Sequence, residues 1–139
     1  MRTFFAVLLV LMVSTGAMSQ ATPTIARGPA TQTSPTSGVE MYGTHCAVCH
    51  GVNGKGDGPA APALKQAPSD LTQLSKKNAG KFPDFRVANV IQGDTILPAH
   101  GSRDMPMWGD VFRSLQRDDV VVKLRVSNLT KYIESLQQK

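Results

Sequence analysis

Apolar side chains are spread unevenly along this chain, and each stretch predicts something different. Phe4 to Val13 is an uncharged run that follows Arg2. Gln20 to Ser37, "QATPTIARGPATQTSPTS", has Ile25 as its only large apolar side chain and is dominated by Thr, Pro, Ala and Ser. Such a segment cannot bury enough surface to offset the entropy of ordering, so it is expected to be a flexible leader. Ser37-Gly38-Val39-Glu40 fits the capping-box pattern that satisfies orphan amides at a helix start. It predicts a short helix carrying Val39, Met41 and Tyr42 into the region of Cys46. Further on, Pro83 and Asp84 open a second helix, in which Val87, Val90 and Ile91 share one face and Gly93 supplies the stop. A third helix is expected from Asp118 or Asp119, because Val122, Val126, Leu129, Ile133 and Leu136 recur in steps of four and three. The run Val120-Val121-Val122 has strand propensity and blurs its start.

Between these elements the periodicity lapses. Gly51, Gly54, Gly56 and Gly58, followed by Pro59, Pro62 and Pro68, mark a long irregular loop, and loops of that length inside a small domain are usually functional. It is not a phosphate-binding loop, since no strand precedes it and no helix follows. Thr95 to Gly109 also reads as a loop, interrupted by Pro98, Gly101, Pro106 and Gly109. With no repeat and no alternating strand pair, the expected class is all-α, with long loops wrapping a few helices.

At 139 residues and 41 % hydrophobic, the chain suits one small domain. The run from Phe4 to Val13, with Ala17-Met18-Ser19 behind it, has the form of a secretory signal. The expected organisation is therefore a signal peptide at 1–19, the leader at 20–37 and a folded domain at 38–139, in a periplasmic protein. The apolar run is shorter than the ~20 residues of a membrane-spanning helix, so the mature form is expected to carry no span, with retention of the run as an uncleaved anchor the minority reading. Loss of Arg2 lowers the net charge from +5 to +4. A mildly basic surface can steer a protein toward an acidic partner, though a lysine-dotted surface with no partner is an equal reading. The basic residues form no run longer than Lys76-Lys77 and have no aromatic residues interleaved, which argues against nucleic acid.

"HCAVCHG", residues 45–51, holds both cysteines and two of the three histidines. Cys46-Ala47-Val48-Cys49-His50 is the CxxCH spacing of covalent c-type haem attachment. Two thiols three positions apart on a helical turn can reach two vinyl groups of one porphyrin, while the adjacent imidazole becomes an axial ligand. A dithiol redox centre would sit near a βαβ pattern, which is missing. A zinc site would need more ligands than His45 and His100 supply. A disulfide here would close a very small loop and stabilise little. The cofactor expected is one haem c.

A second axial ligand must come from elsewhere. After signal removal Met41, Met105 and Met107 remain. Met41 lies on the helix leading to the His50 side of the ring and is poorly placed to reach the other face. Met105 and Met107 lie in a downstream loop that can cross over, and His100 is a competitor, its commoner role being a surface or haem-edge histidine. A thioether raises the potential, which suits electron carriage. His45 is expected to be exposed.

Taken together, "GVEMYGTHCAVCHG", "GKGDGPAAPAL", "MPMWGDVF" and "LTKYIESLQ" resemble the class I cytochrome c family, in its small bacterial monohaem branch, over roughly residues 38–138. The resemblance implies His50 as proximal ligand and Met105, directly before a proline, as distal ligand, with Met107 as the fallback. It implies that the carbonyl of Pro62, twelve positions after His50, accepts the proximal imidazole N–H. It also implies that Gly38 and Tyr42 cross the terminal helix near Tyr132. Trp108 would pack on the haem or bond a propionate, with simple core burial an equal reading. Asn128-Leu129-Thr130 matches a glycosylation sequon but lies within an expected helix. The implied function is an exported, monomeric one-electron carrier rather than an enzyme, exchanging electrons with redox partner proteins at a haem edge near Lys55 and Lys65. The alternatives are a haem subunit of a larger dehydrogenase or oxidase complex, and a sensor or enzyme with an open distal site.

Overall fold

The computed structural model describes residues 30–94 and 105–138. The signal segment, most of the leader and His100 lie outside them. Among the described residues there are helices and turns but no strand, in keeping with the all-α expectation. Helix α1 spans Gly38–Met41, α2 Ala47–His50, α3 Asp84–Gln92, α4 Trp108–Leu115 and α5 Asp119–Ser135. None of the described helices is long and apolar enough to cross a membrane.

The Ser37 side chain accepts from the Glu40 amide at 3.2 Å, as the capping box requires. Its reciprocal half goes elsewhere, because Glu40 accepts from the Ser34 amide. Between α1 and α2 the chain makes one π-helical turn, Tyr42–Cys46. This wider turn buries Tyr42, His45 and Cys46 together. Such insertions are frequent at functional sites. Residues ahead of Ser37 also pack against α5. Thr33 is buried and bonded to Arg125, and Pro35 accepts from the Asn128 side chain at 3.0 Å.

Helix α5 is capped by Asp118, whose carboxylate accepts from the Val120 amide at 2.8 Å. Its stripe of Val122, Val126, Leu129 and Ile133 is buried, so packing overrides the strand propensity of the three valines. Gly38 is where α1 meets this helix: a Cβ there would collide with the Asn128 carbonyl oxygen and stand 2.8 Å from Tyr132 Cβ. The two helices therefore approach backbone to backbone. The Tyr42 and Tyr132 rings pack beside this crossing, with centroids 5.1 Å apart.

Helix α4 departs from the loop expected over Thr95 to Gly109. Pro106 precedes the first helical residue, where it does no harm. Gly109 lies in the first turn against the Gln92 carbonyl at the end of α3, so it serves a close contact between helices. Trp108, Phe112 and Leu115 then share the inward face. Helices α1, α3 and α4 all pack on α5, and α3 also meets α4.

Candidate functional site

The Gly-rich loop after His50 folds back onto α2. Gly51, Gly56, Gly58 and Ala60 donate their amides to the carbonyls of Ala47, His50, Cys49 and Val48 at 2.8–3.1 Å. Every carbonyl of this one-turn helix is thereby satisfied, although the helix is too short to do so itself. Gly58 is required at this return, because a Cβ would stand 2.5–2.6 Å from the Val48 and Ala47 carbonyl oxygens. Tyr42 adds a further tie, its hydroxyl donating to the Gly51 carbonyl at 2.8 Å.

Held in this way, α2 presents its side chains to a cleft made of two adjoining cavities. One is lined by His45, Cys46, Cys49, His50, Met105 and Trp108, with residues 64–69 contributing in part. The other, about 240 Å³, is walled mainly by Leu71, Leu74, Val87, Val90, Ile91 and Ile133. Cys46, His50 and Met105 line both. Asn78, Lys77 and Arg86 supply the polar part of the second cavity.

His50 Nδ1–H donates to the Ser69 carbonyl at 3.0 Å. That bond fixes the tautomer, with the proton on Nδ1 and the lone pair on Nε2. Ser69, not Pro62, is therefore the acceptor. Once Gly58 and Ala60 are drawn onto α2, Pro62 falls in the exposed 3₁₀ turn Ala61–Ala63, and the chain reaches the His50 ring only nineteen positions after it. Met107 is exposed, packs on Gly93 at the end of α3 and lines neither cavity.

The two cysteine sulfurs are not joined to one another. Burial, with Cys49 as the lesser cause, pushes the Cys46 thiol up to about 12, and burial also raises Cys49. Burial therefore disfavours the thiolate form of both side chains. Among the described residues no cluster of three or more His, Cys, Asp or Glu side chains could hold a bare metal ion.

His45 differs from expectation. It is buried, with its ring centroid 5.1 Å from that of Trp108 and 5.9 Å from that of Phe112, and Nε2 is 3.4 Å from the Thr33 hydroxyl. Trp108 lines the cleft and also packs against the core. The signal for His45 was its register: with Met41, Tyr42 and Cys46 it makes one inward stripe.

A largely apolar cleft bordered by helices and by the loop at 64–69, with two sulfurs, an oriented imidazole and a thioether on its walls, fits a flat macrocycle bound through sulfur and carrying a metal. These features define the class of helical proteins that wrap a covalently held haem. A family model described as Cytochrome c matches residues 35–137, and the chain belongs to that family. It is a haem-binding electron-transfer protein whose cofactor is covalently attached haem c, with Cys46 and Cys49 in the CxxCH motif. Comparison with curated proteins and with solved structures returned no match.

Proposed function

We propose that this protein is an exported one-electron carrier, with Cys46 and Cys49 holding the haem and with His50 and Met105 as axial ligands. The observation that carries this reading is that Cys46, His50 and Met105 line both parts of the cleft, whereas Met107 lines neither. When bound, the haem supplies an iron that alternates between ferric and ferrous states. The chain supplies everything else. Ser69 orients the proximal imidazole, and the aliphatic wall from α3 and α5 excludes water and favours the less charged, reduced state. His50 and Met105 would hold the iron in both states, which would keep reorganisation small. Lys55 and Lys65 are exposed and are proposed to contribute to docking of an acidic redox partner. Export is supported by the run Phe4–Val13 and the small residues Ala17 and Ser19. The mature protein is proposed to be a periplasmic monomer.

Visible spectra of the oxidised protein test the ligand assignment. Met105→Ala is expected to lose the methionine-to-iron charge-transfer band, and Met107→Ala to keep it. Loss in the Met107 variant alone would overturn the choice. Rapid carbon monoxide binding by the unmodified ferrous protein would point instead to an open distal site and a sensor or enzyme.

A further inference from the structure

Behind the aromatic wall of the cleft lies a charge that the ligand set does not use. Arg125, on α5, is 2 % exposed, and among the described residues no carboxylate forms an ion pair with it. Its Nη1 donates to the Thr33 hydroxyl at 3.0 Å, while its buried Nε–H has no hydrogen-bond partner. The guanidinium carbon stands 5.7 Å from the centroid of Phe112. Phe112 packs in turn on His45 and Trp108, at 5.9 Å each, and those two rings line the cavity beside Cys46. The acid with a resolved influence on Arg125 is Glu40, which is exposed and outside ion-pair distance.

An unpaired buried cation is expensive to retain. An arginine does not escape that penalty by losing its proton, because its guanidinium keeps its charge in proteins. Its field reaches the cleft through aromatic rings rather than water, where the effective dielectric is low and salt screens little. Reduction adds one electron to the haem centre, so a fixed positive charge behind the wall favours the reduced form.

We propose that Arg125 is a potential-setting residue, which raises the reduction potential of the bound haem through its field without touching haem or ligand. The proposal rests on the reading above that the haem runs a reversible one-electron couple.

Equilibrium redox titration of the haem-loaded protein, at low and at high salt, tests it. Arg125→Met removes the charge and keeps apolar bulk, a kind of replacement that buried ion pairs often tolerate; Arg125→Gln is a second neutral variant and Arg125→Lys keeps the charge. Both neutral variants are expected to shift the equilibrium against a reference couple about tenfold toward the oxidised form, which is about 59 mV for one electron. Arg125→Lys should stay close to wild type, and the difference should persist in high salt. Neutral variants at the wild-type potential, a lysine variant that falls as far as they do, or a difference abolished by salt would each overturn the proposal. Absence of any reversible couple in the wild-type protein would instead sink the electron-carrier reading.

Discussion

His45 carries a pH dependence that can be worked out at the level of one side chain. Burial, and secondarily the charge of Arg125, hold its pKa below the ordinary imidazole value of about 6.5. The unfolded chain therefore binds a proton at this position more readily than the folded one, and stability rises with pH through this range. The contribution is present above about pH 6.5 and is lost as the pH falls through the depressed value. His45→Gln cannot titrate but can still hydrogen-bond to Thr33. Denaturant unfolding at about pH 7 and about pH 5 should show a smaller loss for this variant than for wild type. Equal losses would show that His45 is not the titrating group. Neither His45 nor Arg125 is legible as a site residue from its type. Each occupies a slot in an apolar stripe, Arg125 falling three positions after Val122 and four before Leu129, and only register placed it inside.

The crossing of α1 and α5 is set by the absence of a side chain at Gly38. A methyl group there would meet the Asn128 carbonyl and the Tyr132 Cβ, both on the rigid helix α5. Gly38→Ala should therefore cost about 1–3 kcal/mol, as overpacking of a close contact does. The neighbouring Val39→Ala, at a position 60 % exposed, should stay within about 0.5 kcal/mol. Chemical denaturation of the haem-loaded proteins measures both, and similar midpoints would rule out a tight crossing. Helices α3 and α5 were legible because their apolar residues recur at helical spacing, and α1 because of the capping-box pattern at Ser37. Helix α4 was not, because Pro106 and Gly109 read the same in sequence whether they interrupt a helix or lie one just ahead of it and the other in its first turn. The Gln92 carbonyl, which requires a small residue at position 109, belongs to α3 and becomes visible only once α3 and α4 meet.

At the scale of the whole molecule, the cleft is cut into the only core that the described residues form. Without haem the aliphatic wall of the cleft, around a space of about 240 Å³, is left facing solvent, and a small domain has only about 5–15 kcal/mol of total stability with which to hold such a wall apart. A Cys46→Ser/Cys49→Ser protein made without haem is therefore expected to keep helical far-ultraviolet dichroism and to lose most near-ultraviolet dichroism. It should also bind a hydrophobic dye, as loosely packed states do. A rigid, cooperatively unfolding haem-free protein would contradict this and would mean that the cleft collapses at little cost.

Some of this was settled by local chemistry. The CxxCH spacing, the cap at Ser37, the α3 boundaries and the stripe on α5 all depend on residues within a turn or two of one another, and such short-range relations can be read along the chain. Other features needed the chain to return on itself. The acceptor for His50 passed from Pro62 to Ser69 because α2 captured the intervening loop for its own carbonyls. His45 became a buried ring, and Arg125 a cation behind the cleft, because α4 and the segment around Thr33 closed over them. Hydrogen-bond partners and burial are properties of segments far apart in sequence, so only the packed structure could assign them.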